Sequence, residues 1–346
     1  MTIRSRLTRW LPALAVAAST AFLPAQGRAA DAPPVVRFQD YPGHGNLLVR
    51  VARSKGWCTS AGITCELKPI PAAPLGLQAL IGNSIDVALA PIEVVASAAL
   101  RGAKLRTVAG SAVSNIFQID AGSSLKLPHE TQGYPAVMQD FKGRKIGVVA
   151  RGSATESFFA WLMQQAGHQA TDVTYVAVGA PNTAFAALRA GQVDAIVSWE
   201  PSGIMCELSK ACKVVFRGSS AAEPALLKAM YGAGAGLVMR ADDIAARPQI
   251  AQAVRKISQQ AEAFVKNPAN KAEVLRISAS YFPTDSMPQG DVIAQRTLEL
   301  GLETNTFQAM VRRSAVQATL QYMQQTKQLS SLPKVEDLVW DGAPND

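Results

Sequence analysis

Lys145 to Ser157, KIGVVARGSATES, holds the residues whose spacing most suggests chemistry. An apolar strand runs into Gly152, which supplies a tight turn, and a helix starts at Ser153. The first N–H groups of a helix have no intrahelical partner and sit at the positive end of its dipole, so they favour an anion. Ser153 and Thr155 add hydroxyl donors, and Arg151 adds a charge. Such a loop suits a carboxylate, a sulfonate or a similar group. Ser153 with Glu156 also spells a capping box, S-x-x-E. The two readings are compatible, because a capped helix end still presents its other N–H groups.

Other candidates stand at other strand ends. Trp199-Glu200-Pro201 follows the apolar run Asp194 to Ser198. An aromatic and a carboxylate at a strand's carboxyl end, before a helix opened by proline, suit the wall of a ligand cleft. A tryptophan packed in a domain seam gives the same pattern. Pro42 to Asn46 and Ala90 to Glu93 occupy equivalent positions, which adds Gly43, His44, Asn46, Pro91 and Glu93 to the candidates. Glu93 is also what the first turn of a helix prefers for dipole reasons alone.

Signatures of catalysis are absent. The chain has no G-x-S-x-G, no H-E-x-x-H and no G-x-x-x-x-G-K-[ST]. Its three histidines, His44, His129 and His168, are far apart, and nothing marks a catalytic triad. Gly232-Ala-Gly234-Ala-Gly236 leads into a strand instead of following one and opening a helix, so it is not a dinucleotide loop. No catalytic residue, cofactor or metal is expected.

The N-terminus sets the compartment. Arg4, Arg6 and Arg9 precede an apolar run from Leu11 to Leu23, and small residues follow at Gly27, Ala29 and Ala30. This is the layout of a secretory signal peptide over residues 1–30, cleaved after Ala29 or Ala30. Pro12 and Pro24 interrupt the run, against a membrane anchor, and no cysteine stands at the cleavage site for a lipid. Losing Arg4, Arg6, Arg9 and Arg28, and no acid, lowers the net charge from +8 to +4. So weak a field does not suggest nucleic acid. In an oxidising compartment, Cys58 with Cys65 and Cys206 with Cys212 read as two local disulfides. Neither pair has the C-x-x-C spacing of a zinc site.

These residues need elements to hold them. The chain has 346 residues, 48% of them apolar, enough for about two domains with a packed core. Strands are expected at Val35–Gln39, Cys65–Ile70, Asp86–Ala90, Lys145–Ala150, Thr174–Val178 and Asp194–Ser198. Between them stand helices, the first capped by Asn46, the others at Pro74–Ile81, from Pro91, at Ser153–Ala166, at Thr183–Ala190 and from Pro201. Strand and helix alternate, the mark of an α/β fold. ALIGNSIDVALAPIEVV, 79–95, and ALRAGQVDAIVSWEPSG, 187–203, repeat one order: helix end, glycine, aspartate, strand, proline, helix. Two lobes built alike would give this, as would any α/β chain. From Asp242 the spacing is helical over Arg247–Lys266, Lys271–Tyr281, Asp291–Leu300 and Thr306–Thr326, punctuated by Pro268, Pro283 and Pro288. The tail from Leu332 is expected to wrap the surface.

VARSKGW (51–57), the Gly82-x-x-x-Asp86 turn, DFKGRKIGVVARGSATES (140–157) and AALRAGQVDAIVSWEP (186–201) together resemble a known family. The chain is similar to the periplasmic substrate-binding proteins of ABC importers, in the nitrate, taurine and aliphatic-sulfonate group of the NMT1/THI5-like fold. The likeness runs from about Val35 to about Val265. It implies a type II periplasmic binding protein fold of two α/β lobes, two crossover strands and a C-terminal helical extension. The crossings are expected near Ile116–Ala121 and Gly232–Val238, with lobe 1 formed by 31–120 plus 234–346 and lobe 2 by 121–233. It also implies ligand contacts after the first strand, after Asp86–Ala90, at Gly152-Ser153-Ala154-Thr155 and at Trp199-Glu200. Ala90-Pro91-Ile92-Glu93 replaces the family's usual glycine-containing turn, and the cysteine loops are additions.

The expected function is capture of a small organic anion, such as a sulfonate or carboxylate, by a monomeric exported protein. Delivery would go to a membrane permease with its ATPase. Two other ligand-side readings stay open: a neutral heterocycle such as a pyrimidine, and an enzyme on the same scaffold using Glu93, Glu200 or His44. An accessory module presenting ligand to a membrane sensor is a third.

Overall fold

Apolar strands alternating with helices build two sheet layers, the first a two-stranded and a three-stranded sheet bridged at Phe38 and Val87, in the computed structural model, which describes Thr2 and residues 32–41, 43–281 and 289–345. The leader expected over 1–30, Thr2 apart, lies outside the described residues, as do Pro42, Pro283 and Pro288.

The chain opens with β1 (Val35–Asp40), α1 (Leu47–Ser54), α2 (Trp57–Ser60) and β2 (Thr64–Pro69). It continues through α3 (Ala73–Ile81), β3 (Ala88–Pro91), α4 (Ile92–Ala99) and β4 (Leu105–Ala112). The middle holds β5 (Gln118–Gly122), β6 (Lys145–Val148), α5 (Ala154–Gln165), β7 (Thr174–Ala177) and α6 (Pro181–Arg189). Next come β8 (Ala195–Ser198), α7 (Ser202–Ser209), β9 (Cys212–Arg217) and α8 (Ala225–Ala229). The last part is β10 (Ala235–Arg240), α9 (Ala241–Ala246), α10 (Pro248–Lys266), α11 (Lys271–Ala279), α12 (Gly290–Glu303) and α13 (Arg313–Gln325).

In the first half β1 and β2 pair in parallel, with Val36 opposite Cys65. The Gln39 N–H donates to the Val87 carbonyl at 2.8 Å and joins β1 to the approach to β3. β10 returns from far along the chain and lies between β3 and β4, antiparallel to both. The glycine run before and within β10 serves this close approach. A Cβ on Gly234 would stand 2.5 Å from the Ala112 carbonyl oxygen, and one on Gly236 2.8 Å from that of Ala109. The second sheet has the order β7-β6-β8-β5-β9, with β5 antiparallel to β8 and β9.

Among the described residues, 113–117 and 218–234 carry the chain between the first layer and the second sheet. Ile119 to Ala121 already pair in the second sheet, and Leu237 and Val238 in the first. The connecting segments therefore overlap the stretches where crossings are expected only at 116–117 and 232–234, because backbone groups pair wherever an adjacent strand offers partners.

One further expectation shifts for the same reason. The helix expected from Thr306 begins at Arg313. Residues 306–309 instead lie along the open edge of β4, where Gly110 N–H donates to Ala309 O at 2.7 Å and Val113 N–H to Thr306 O at 2.8 Å. The tail also covers that edge, since Thr107 N–H donates to Leu338 O at 2.7 Å. A bare edge would leave a row of unpaired groups. Asn46 makes no side-chain capping bond among the described residues. Ser153 does cap α5, through Glu156 N–H.

Both cysteine pairs are joined as expected, Cys58 to Cys65 and Cys206 to Cys212. α10 buries Ile250, Val254, Ile257, Ala261 and Val265 against the first sheet. α13 packs beside α4 and also meets α5: Tyr322 stacks edge-on against Trp161 at 5.0 Å, and Trp161 Nε1 donates to Gln325 at 3.1 Å.

Candidate functional site

A cavity of about 220 Å³ opens between the two sheets, at strand ends contributed by both. On the first-sheet side it is lined by Tyr41, Gly43, His44 and Gly45 after β1, and by Leu89 and Pro91 at β3. On the other side stand Gln118, Trp199, Glu200 and Arg217. Leu300 and Gly301 of α12, with Thr306 and Phe307, form a third wall.

A buried arginine shapes the first wall. Arg50, 2% exposed on α1, donates to Asp40 Oδ1 at 2.8 Å, to the Gly43 carbonyl at 2.6 Å and to the Tyr41 carbonyl at 2.9 Å. It thus pins the loop that carries His44. Burial first, and the Arg50 charge second, hold the His44 imidazole down at about 4, so it faces the cleft neutral. Gln39 works similarly on the neighbouring loop. Its Nε2 donates to the carbonyls of Ile70 and Ala72 at 3.0 and 3.1 Å, and its Oε1 accepts from Leu89 N–H at 3.0 Å.

The opposite wall is an ionic and hydrogen-bonded network. Arg217 Nη2 donates to Glu200 Oε1 at 2.8 Å and to Glu207 Oε1 at 3.1 Å. Glu200 Oε2 accepts from Ile204 N–H at 3.0 Å, in the first turn of α7. Burial raises the Glu200 carboxyl and the Arg217 charge opposes that rise. Behind them Asp120, fully buried, accepts from Ser202 Oγ at 2.7 Å and from Gln118 Nε2 at 3.0 Å. Desolvation pushes Asp120 up to about 7 in spite of those bonds. Trp199 is held edge-on by Phe117, 6.5 Å between ring centres.

Of the residues expected from sequence, Gly43, His44, Pro91, Trp199 and Glu200 come together on this cleft. The others lie outside its lining. Asn46 is buried beneath it, its amide donating to Gln39 O and to Asp40 Oδ1. Glu93 sits on α4 beside Tyr322, where burial raises its carboxyl to about 7. In the Arg151–Thr155 loop, the Glu156 carboxylate accepts from Gly152 N–H at 2.8 Å and from Arg151 Nε at 2.9 Å. Thr155 Oγ1 accepts from Val149 N–H at 3.0 Å. The Glu156 side chain thus caps the loop at Gly152 and Arg151.

Sequence reading missed Gln118, Asp120, Arg217 and the α12 residues. Phe117-Gln118-Ile119-Asp120 carried a usable signal: two polar residues at strand spacing on one face of an apolar run. Arg217 had none, since its partner is 17 residues away. Among the described residues no group of three His, Cys, Asp or Glu is placed to hold a metal. No described helix is long and apolar enough to cross a membrane.

Comparison with known proteins gives the same architecture. The aliphatic sulphonate binding protein SsuA of Escherichia coli superposes with a TM-score of 0.68 at 18% identity, over 90% of this chain and 99% of that one. SsuA of Xanthomonas axonopodis pv. citri, solved with MOPS bound, gives 0.65 at 21% identity over 90% and 99%. A Candida albicans gene product described as having the generic periplasmic binding protein fold gives 0.64 at 13% identity over 90% and 97%. At these identities the likeness shows the fold, that of the periplasmic binding proteins. No curated protein matches the chain. Residues 42–270, more than half of the chain, match the NMT1/THI5-like family, and the protein belongs to that family.

Proposed function

We propose that this is an exported solute-binding protein that captures a small organic anion between two lobes and hands it to an ABC permease driven by a cytoplasmic ATPase. One observation carries the reading: a cavity lined by strand ends of both layers, which among the described residues are connected by the segments 113–117 and 218–234. Ligands of open α/β folds gather at the carboxyl ends of strands. Two halves on a pair of connections can close on a guest and so report its presence to a membrane partner. The lobes would be 31–120 plus 234–346 and 121–233.

Gly43, His44, Pro91, Trp199 and Glu200 are the proposed contacts, joined by Tyr41, Gln118 and Arg217. The anion would meet the N–H groups at the start of the helical run after Gly43, since Arg217 is directed at Glu200 and Glu207. Arg151 to Thr155 act as a self-capped helix start. The protein binds its solute without transforming it. It works in the periplasm after loss of residues 1–30, as a monomer.

Native mass spectrometry of the purified protein, with a thermal-shift panel of sulfonates and carboxylates, tests the reading. A true ligand at 100 times its Kd adds about 2.7 kcal/mol to stability. If no small anion stabilises the protein, the proposal fails.

A further inference from the structure

We propose that Gln118 reads a hydrogen-bond donor on the bound solute and that Asp120 orients it to do so. This rests on the solute-binding reading and names one end of the ligand: a small anion that also carries an N–H or O–H group.

An amide side chain can present either a donor or an acceptor, and its fixed neighbours decide which end faces outward. Gln118 and Asp120 are two apart on β5, so their side chains share a face. Gln118 Nε2 donates to the Asp120 oxygens at 3.0 and 3.2 Å and to Ser202 Oγ at 3.2 Å. Gln118 Oε1 accepts no hydrogen bond among the described residues, and Gln118 lines the cleft. The acceptor end is the one left for a guest.

The surroundings are built to keep it so. Asp120 is fully buried and Ser202 Oγ also donates to it at 2.7 Å, so the anchor cannot swing away. Gly203 leaves the room that the network occupies. A Cβ there would stand 2.3 Å from Gln118 Nε2 and 2.8 Å from both Arg217 Nη2 and Glu200 Oε1. A solute group with only lone pairs, or a methyl, would leave Gln118 Oε1 unpaired on closure, whereas an N–H or O–H would satisfy it. A polar site left unpaired in this way rejects the analogue that lacks the donor.

Calorimetric titration with two matched series tests the proposal. One is 2-aminoethanesulfonate, 2-hydroxyethanesulfonate and propane-1-sulfonate. The other is 4-aminobenzoate, 4-hydroxybenzoate and 4-methylbenzoate. In at least one series the donor-ended members should bind about tenfold or more tighter than the methyl-ended one. Gln118→Met should bring that ratio to about one, while Gln118→Glu keeps it. Asp120→Asn, which frees the amide to turn, should lower the ratio several-fold; mere loss of stability would weaken all members together. Thermal melts of each variant verify folding. Equal binding across each series by the wild type, or a ratio that survives in Gln118→Met, overturns the proposal. So does a wild type that binds other small anions but none of the six. A wild type stabilised by no small anion at all overturns the solute-binding reading instead.

Discussion

Glu200 and Arg217 lie 17 residues apart in the chain, yet Arg217 Nη2 donates to Glu200 Oε1 at 2.8 Å on the wall of the cleft. One stands just after β8 and the other ends β9, and β5 lies between those strands. The pair fixes the side of the cavity that carries Trp199.

Arg217→Met would leave Glu200 half-buried without its counter-charge. Breaking a fully buried pair costs about 3–5 kcal/mol, and partial exposure here lowers the expected loss to about 2 kcal/mol. The double variant Glu200→Gln with Arg217→Met should be milder than the single one. Urea denaturation measures both, and a single variant as stable as the parent would contradict the pairing.

Gly76→Ala should be costly for a different reason. Its Cβ would stand 1.8 Å from Gln39 Oε1, an atom already committed to Leu89 N–H. Gln39 also holds Ile70 and Ala72, so it cannot yield without releasing that loop. Overpacking of this kind costs about 1–3 kcal/mol. A melting temperature equal to the parent's would show that the clamp is looser than the distances imply.

Two buried groups give opposite pH slopes. Asp120 is raised from 3.8 to about 7, so its contribution is fully present below pH 3.8 and is lost as pH rises through 7. Asp120→Asn should therefore gain on the parent at pH 8, by at most about 4 kcal/mol, and show no such gain near pH 4. His44 is lowered from 6.5 to about 4, so its contribution is present above 6.5 and lost as pH falls towards 4. His44→Gln should flatten the acid side of the stability curve. Denaturation midpoints at pH 4, 6 and 8 separate the two, and parallel curves for either variant would refute its assignment.

Reducing the cysteine loops should have a modest effect. Each closes a short loop, Cys58–Cys65 with a separation of seven and Cys206–Cys212 of six. Chain entropy assigns such loops about 2–3 kcal/mol each. Cys206→Ser with Cys212→Ser should lower the unfolding midpoint accordingly. Peptide mapping without reduction should recover both linked pairs, and free thiols at either site would contradict the pairing.

The sequence by itself determined the α/β class, most strand and helix positions in the first 200 residues, and the local cysteine pairs. Those features depend on periodicity, punctuation by glycine and proline, and neighbours a few residues away. It also marked Gly43, His44, Pro91, Trp199 and Glu200, because strand ends are visible in one dimension. Tertiary structure alone decided the rest. Pairing along the edge of β4 turned residues 306–309 from an expected helix into an extended segment. Burial, not pattern, made Arg50 and Gln39 the clamps of two loops. At Gly152 the pattern fits a helix cap and an anion site alike, and only the fold shows Glu156 reaching back to the Gly152 N–H at 2.8 Å. A cleft is made of distances between residues remote in the chain, and spacing in sequence carries no record of those distances.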